Sequence, residues 1–107
     1  MYKKIEIDGK EIEVVANAAT PFRFKQIFHK DLLRILGNEE KVEEEGVETI
    51  TQLAFVMAKQ AEKADMTKLS EAELIDWLED FSPLAFINAA EEIMNAYMES
   101  TVGSATP

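Results

Sequence analysis

Two runs of alternating apolar and polar residues meet at Asp8-Gly9 in "YKKIEIDGKEIEVVA", and no other stretch limits the fold so sharply. Ile5 and Ile7 stand before the pair, Ile12 and Val14 after it, so a period of two puts each set on one face of a strand. Aspartate-glycine between such runs predicts a tight hairpin, because glycine accepts positive φ at no steric cost. Strands are expected near 2–7 and 11–16. A two-stranded ribbon is marginal in water by itself, so its Ile/Val face has to be covered by helices or by another chain.

The residues after the hairpin can supply that cover. Thr20 is placed to cap a helix and Pro21 fits its first position, where no amide hydrogen is needed. This helix is expected to reach about Leu36 and stop at Gly37-Asn38. Phe24, Ile27, Phe28, Leu32 and Ile35 or Leu36 recur at three and four and predict its buried stripe. Arg23, Lys30 and Arg34 form a second, cationic stripe that is expected to meet acid: the chain's own second half, another copy, or a partner. "GNEEKVEEEGVE" carries five glutamates from Glu39 to Glu45 between two glycines and predicts a solvated acidic loop or frayed turn.

Two further apolar segments are broader than one stripe. From Glu48 to about Ala64, Ile50, Leu53, Ala54, Met57, Ala61 and Ala64 follow helical spacing, while Phe55 and Val56 lie off that line. A second apolar face means either burial between two neighbours or an exposed contact patch. Ser70 and Glu73 stand in capping-box positions ahead of Leu74, Ile75, Trp77, Leu78 and Phe81, predicting a short helix over about 70–80. Ser82-Pro83 opens a last helix over about 83–99. There Leu84, Ile87, Ala90 or Glu91, Met94 and Tyr97 or Met98 share one side, and Phe86, Ala89, Ala90, Ile93 and Tyr97 widen it. The expected fold is α+β and mostly helical: a hairpin over 2–16 and about four α-helices in a small bundle. One globular domain is expected over 1–100, with a flexible tail over 101–107.

Composition narrows the function. A chain of 107 residues can bury roughly two thirds of its unfolded surface, so a cooperative core needs no staple. There is no cysteine, hence no disulfide and no thiolate metal site. The first residues show no signal-like apolar stretch and no run has transmembrane length, so a cytoplasmic protein without a membrane partner is expected. Up to Gly37 seven Lys and Arg face five Asp and Glu, a balance of +2; from Asn38 onward four face sixteen, a balance of -12. A surface that acidic repels phosphate backbones, which disfavours nucleic acid. The titratable candidates are His29 with Asp31, Asp76 with Glu79 and Asp80, and Glu91 with Glu92. None has the pairing an acid-base site needs, and "EEEG" lacks calcium-loop spacing. No phosphate loop or nucleophile elbow is present, so neither an enzyme nor a cofactor is expected.

At "NAATPFRFKQIFHKDLL", from Asn17 to Leu33, the chain resembles a known family. A short hairpin, Ala-Ala-Thr-Pro with two aromatics around Arg23, an acidic linker, the alanine-rich "LAFVMAKQAEKAD" and a late "WLEDF" are similar to the tail assembly chaperones of long-tailed, siphovirus-type phages and prophages of Gram-positive bacteria. The resemblance implies a non-enzymatic protein of the bacterial cytoplasm that binds the tape measure protein and is absent from the mature virion. It also implies a longer form, made by translational frameshift, that recruits tail tube protein, with Thr101 to Pro107 the natural place for such a fusion. Phe55, Val56, Phe86, Ile93 and Tyr97 are then the expected client-facing residues. Arg23, Lys30 and Arg34 are the expected face for a charged partner or for self-association into a homo-oligomer. The alternative is a structural head-tail connector or tail terminator subunit retained in the virion.

Overall fold

In the computed structural model, which describes residues 2–102, the hairpin forms where Asp8-Gly9 places it. Strands β1 (Tyr2–Ile7) and β2 (Lys10–Val15) pair antiparallel, with Ile5 opposite Ile12 and Ile7 opposite Lys10. Asp8 (φ 56°) and Gly9 (φ 77°) form the two-residue turn, and positive φ at both matches the right-handed twist of the strands. Five α-helices follow among the described residues: α1 (Thr20–Phe28), α2 (Leu32–Leu36), α3 (Glu39–Ala61), α4 (Glu71–Leu78) and α5 (Ala85–Val102). A 3-10 turn at Met66–Lys68 precedes α4. The architecture is α+β and mostly helical, and no helix of the described residues is long and apolar enough to cross a membrane.

Helix α3 is the axis. Every residue from Gln52 to Ala58 is buried, so the middle of this helix meets protein on all sides rather than along one stripe. β2 and α5 cover part of it, α1 and α2 another part, and α4 a smaller one. Ile5, Ile7 and Val14 complete the hairpin's inner face, which lies on α3 and α5. At the outer edge of β1, the Glu6 N–H donates to Glu92 Oε1 of α5 at 3.2 Å, so a helix satisfies a strand group that has no strand partner. Phe24, Phe28, Phe55, Trp77 and Phe86 form a chain of ring contacts from α1 through α3 to α5, with centroids 5.3 to 6.3 Å apart.

Several sequence expectations change. The single helix expected to Leu36 is two, because His29 takes left-handed backbone (φ 59°) and Asp31 accepts the Arg34 N–H at 3.2 Å, opening α2. The apolar stripe survives the break: Phe24, Ile27, Phe28, Leu32 and Ile35 are all buried. Thr20 is not the cap. Ala19 holds that position without a side-chain bond, and the Thr20 hydroxyl accepts from Asn17 N–H and donates to Gln60 Oε1 at 2.9 Å, tying α1 to the end of α3.

The largest correction concerns the acidic segment, which is helix rather than loop. Asn38 Oδ1 accepts from the N–H groups of Glu40 and Lys41, and Glu39 and Glu40 sit in the first turn, where the helix dipole favours negative charge. Lys41 pairs with Glu45 one turn on, and Lys30 reaches both Glu45 and Glu48 from the α1–α2 connection. Gly46, which looked like a loop flank, lies inside α3. That helix ends at Ala61 rather than Ala64, with Lys63 at φ 58° just beyond. The last helix begins at Ala85 and continues to Val102, into the stretch expected to be tail; residues 103–107 of that tail lie outside the described residues. The short helix keeps its expected start, the Ser70 hydroxyl accepting from Glu73 N–H.

Two stability outcomes follow from the position of α3. Phe55→Ala removes a fully buried ring at the crossing of three helices and is expected to cost about 3–5 kcal/mol in urea unfolding. Gly46→Ala is expected to stabilise by about 0.5–1 kcal/mol in the same measurement, since an added Cβ meets only Val42 Cγ1 at an ordinary 3.6 Å.

Candidate functional site

The residues expected to face a client are inside. Phe55, Val56 and Ile93 are fully buried, and Phe86 and Tyr97 nearly so, all within the one core cluster. On α5 the two apolar stripes have exchanged roles. Phe86, Ala89, Ile93, Ala96 and Tyr97 pack inward, while Leu84 just before the helix, and Ile87 and Met98 along it, face outward. Glu91 stands in the line of Leu84, Ile87, Met94 and Met98, and no charge interrupts the inward line. That carboxylate is the sequence signal that separates the two sides, since burying it unpaired would be costly.

Of these outward residues, Ile87 lines an open groove of about 260 Å³ between α3, α4 and α5. Val47 and Thr51 of α3, Leu78 of α4, Phe81, Ser82 and Pro83 of the connection, and Phe86 and Ile87 of α5 line it. Val47, Ile75, Leu84 and Ile87 are between 47% and 59% exposed, high enough that none contributes a closed core contact. Ile75 lies one turn before Leu78 on α4, and Leu84 directly follows Pro83, so each exposed side chain is next in its segment to a residue that lines the groove. Phe81 and Phe86 give it an aromatic floor, and both rings pack with Trp77 in a mutual cluster with centroids 5.1 to 5.6 Å apart.

The hairpin turn holds the groove's wall. Asp8 Oδ2 accepts the Ser82 N–H at 3.0 Å and Oδ1 the Ser82 hydroxyl at 3.1 Å. Lys10 Nζ donates to the Asp80 carbonyl and lies 4.8 Å above the Phe81 ring. The Ser82-Pro83 pair therefore acts as an anchored connection and not as a helix cap. Because Asp8 reaches Ser82 from a left-handed turn position, the geometry of the β-turn sets the course of a segment more than seventy residues later.

Lys10 apart, the charge contributed by α4, α5 and their connection has one sign. Between Leu69 and Val102 there are eight carboxylates and no Lys or Arg. Among the described residues Glu99 is the one of these eight in an ion pair, with Lys3. Asp76, Glu79 and Asp80 are exposed around the C-terminal end of α4, whose last turn carries no cation, so the helix dipole adds to their field.

The cationic stripe is divided. Lys30 is bound to Glu48 at 2.6 Å and Glu45 at 3.7 Å, so the acid it meets is in the chain's own second half. Arg23 makes a long 3.5 Å contact to Gln26 Oε1, and Arg34 is exposed beside a shallow cleft. Phe22, 76% exposed, stands with Arg23 and Lys25 on the outer side of α1. His29 and Asp31 serve as helix ends. Asp65 is held below the usual carboxylate range by the Thr67 hydroxyl and then its backbone N–H, which makes it a cap for the 3-10 turn. No group of three or more His, Asp or Glu among the described residues could hold a metal ion. No protein family, curated protein or solved structure matches the chain.

Asp8→Ala removes both bonds to Ser82 and is expected to loosen the 79–84 connection without unfolding the core. Amide exchange should accelerate there and around the hairpin turn while residues 52–58 stay protected; unchanged exchange at Ser82 would show that the clamp is dispensable.

Proposed function

We propose that the chain is a non-enzymatic chaperone of phage tail assembly that binds the tape measure protein and keeps it soluble until the tail tube forms around it. The observation that carries this is the apolar groove on an acidic body: half-exposed Val47, Ile75, Leu84 and Ile87 beside an open aromatic floor, within a chain of net charge -10. A holding protein needs apolar surface for its client and enough charge to stay dispersed while that surface is uncovered. The resemblance of Ala18 to Leu33 and of the alanine-rich and "WLEDF" segments to tail assembly chaperones supplies the identity of the client. The proposal places the protein in the bacterial cytoplasm, outside the mature virion, without a cofactor, nucleic acid or membrane partner. A frameshifted longer form, continuing past the described residues, would recruit tail tube protein.

A structural head-tail or tail subunit is the second possibility. What favours it is the hairpin: no backbone hydrogen bond outside the β1–β2 ladder reaches β2 among the described residues, and such an edge is a template for ring or tube contacts.

Co-expression separates the two. The tape measure protein of the same phage is expected to be largely insoluble alone, to become soluble with this chain, and to co-purify with it. No gain in solubility would count against the chaperone proposal, and stoichiometric amounts of the chain in purified virions would favour the structural subunit.

A further inference from the structure

The chemistry of the groove points to one class of occupant. We infer, resting on the chaperone proposal, that the groove between α3, α4 and α5 receives an amphipathic helix with lysine or arginine flanking its apolar stripe. The groove spans one turn of α3, from Val47 to Thr51, and its volume of about 260 Å³ admits one or two large apolar side chains. That suits anchors at i and i+4 of a helix lying across it, with the next turns over Ile75 and Leu84.

Charge decides which amphipathic helix. Glu43 and Glu44 lie one turn before Val47 on α3, Asp76, Glu79 and Asp80 surround the end of α4, and Glu91 follows Ile87 by one turn. The nearby cation, Lys10, is spent on the Asp80 carbonyl and the Phe81 ring. A helix flanked by Glu or Asp would face like charge on three sides, whereas Lys and Arg would meet carboxylates that have no partner of their own. A second exposed aromatic patch, Phe22 with Arg23 and Lys25, has the opposite sign and would repel the same helix. The molecule thus contains its own control surface.

The test uses two synthetic amphipathic helices without tryptophan. Both carry leucines at i, i+3, i+4 and i+7, one flanked by lysines and the other by glutamates. Trp77 is the sole tryptophan and touches Phe81 and Phe86 of the groove, so its emission reports occupancy. The lysine peptide is expected to shift Trp77 emission saturably, to bind more weakly as salt is raised, and to lose about tenfold in affinity with Ile87→Ser. Ile87 is half exposed, so this variant should keep the wild-type melting temperature, and Phe22→Ser should leave affinity unchanged. Equal binding of the two peptides, or loss of affinity with Phe22→Ser in place of Ile87→Ser, would overturn the inference. So would a lysine peptide that does not bind while Ile87→Ser changes the sedimentation of the free protein, since the occupant would then be a second copy. Co-expression of the tape measure protein with Ile87→Ser keeps the two proposals apart. Wild-type protein and variant solubilising it equally sinks the groove alone, whereas failure of wild-type protein sinks the chaperone proposal and leaves the peptide titration to decide the groove.

Discussion

The fold depends on one helix segment having no exposed side. Gln52 to Ala58 of α3 is buried all round, and a helix can reach that state in a chain this small only if neighbours close on it from every direction. Each other element is then explicable as cover. The hairpin lays its Ile and Val face on α3 and α5, α1 and α2 close a second side with Phe24, Phe28 and Leu32, and α5 closes a third with Phe86, Ile93 and Tyr97. α4 is the least committed, with Leu74 as its one buried residue. The open groove lies where this thinnest cover ends.

Polar contacts decide how the cover is fastened. Asp8 and Lys10, at the tip of the hairpin, hold the connection between α4 and α5, while Thr20 and Gln60 join the start of α1 to the end of α3. Lys30 does the same for the acidic half of α3, neutralising part of a segment whose glutamates would otherwise repel one another. These bonds are few and partly exposed, so each contributes modestly by itself. Their effect is positional: they aim segments that apolar packing leaves free to slide.

The proposed function draws on the resulting asymmetry. Most of the large apolar side chains serve the interior, and the half-exposed ones beside the groove have exposed carboxylates as neighbours on α3, α4 and α5. A surface of that kind attracts a cationic amphipathic partner and repels an acidic one. The cationic patch of α1, with Phe22 at its centre, lies on a different element and carries the opposite preference.

Local chemistry alone determined several features. The Asp8-Gly9 turn and its register follow from a period of two and a positive-φ requirement, and the buried stripe from Phe24 to Ile35 follows from spacing, even across an unforeseen break at His29. The acidic helix was also legible, in the Asn38 cap and the Lys41–Glu45 pair, but a run of glutamates between glycines outweighed those signals. Glu91 could have marked the outward side of α5. What only the tertiary structure decided was which of two apolar faces is covered. Phe55, Val56, Phe86, Ile93 and Tyr97 are chemically fit for either a client or a core, and spacing is the same for both. The neighbours that buried them, and left Val47 and Ile87 in the open, come from distant parts of the chain, and the Asp8–Ser82 clamp that shapes the site joins residues no local pattern connects.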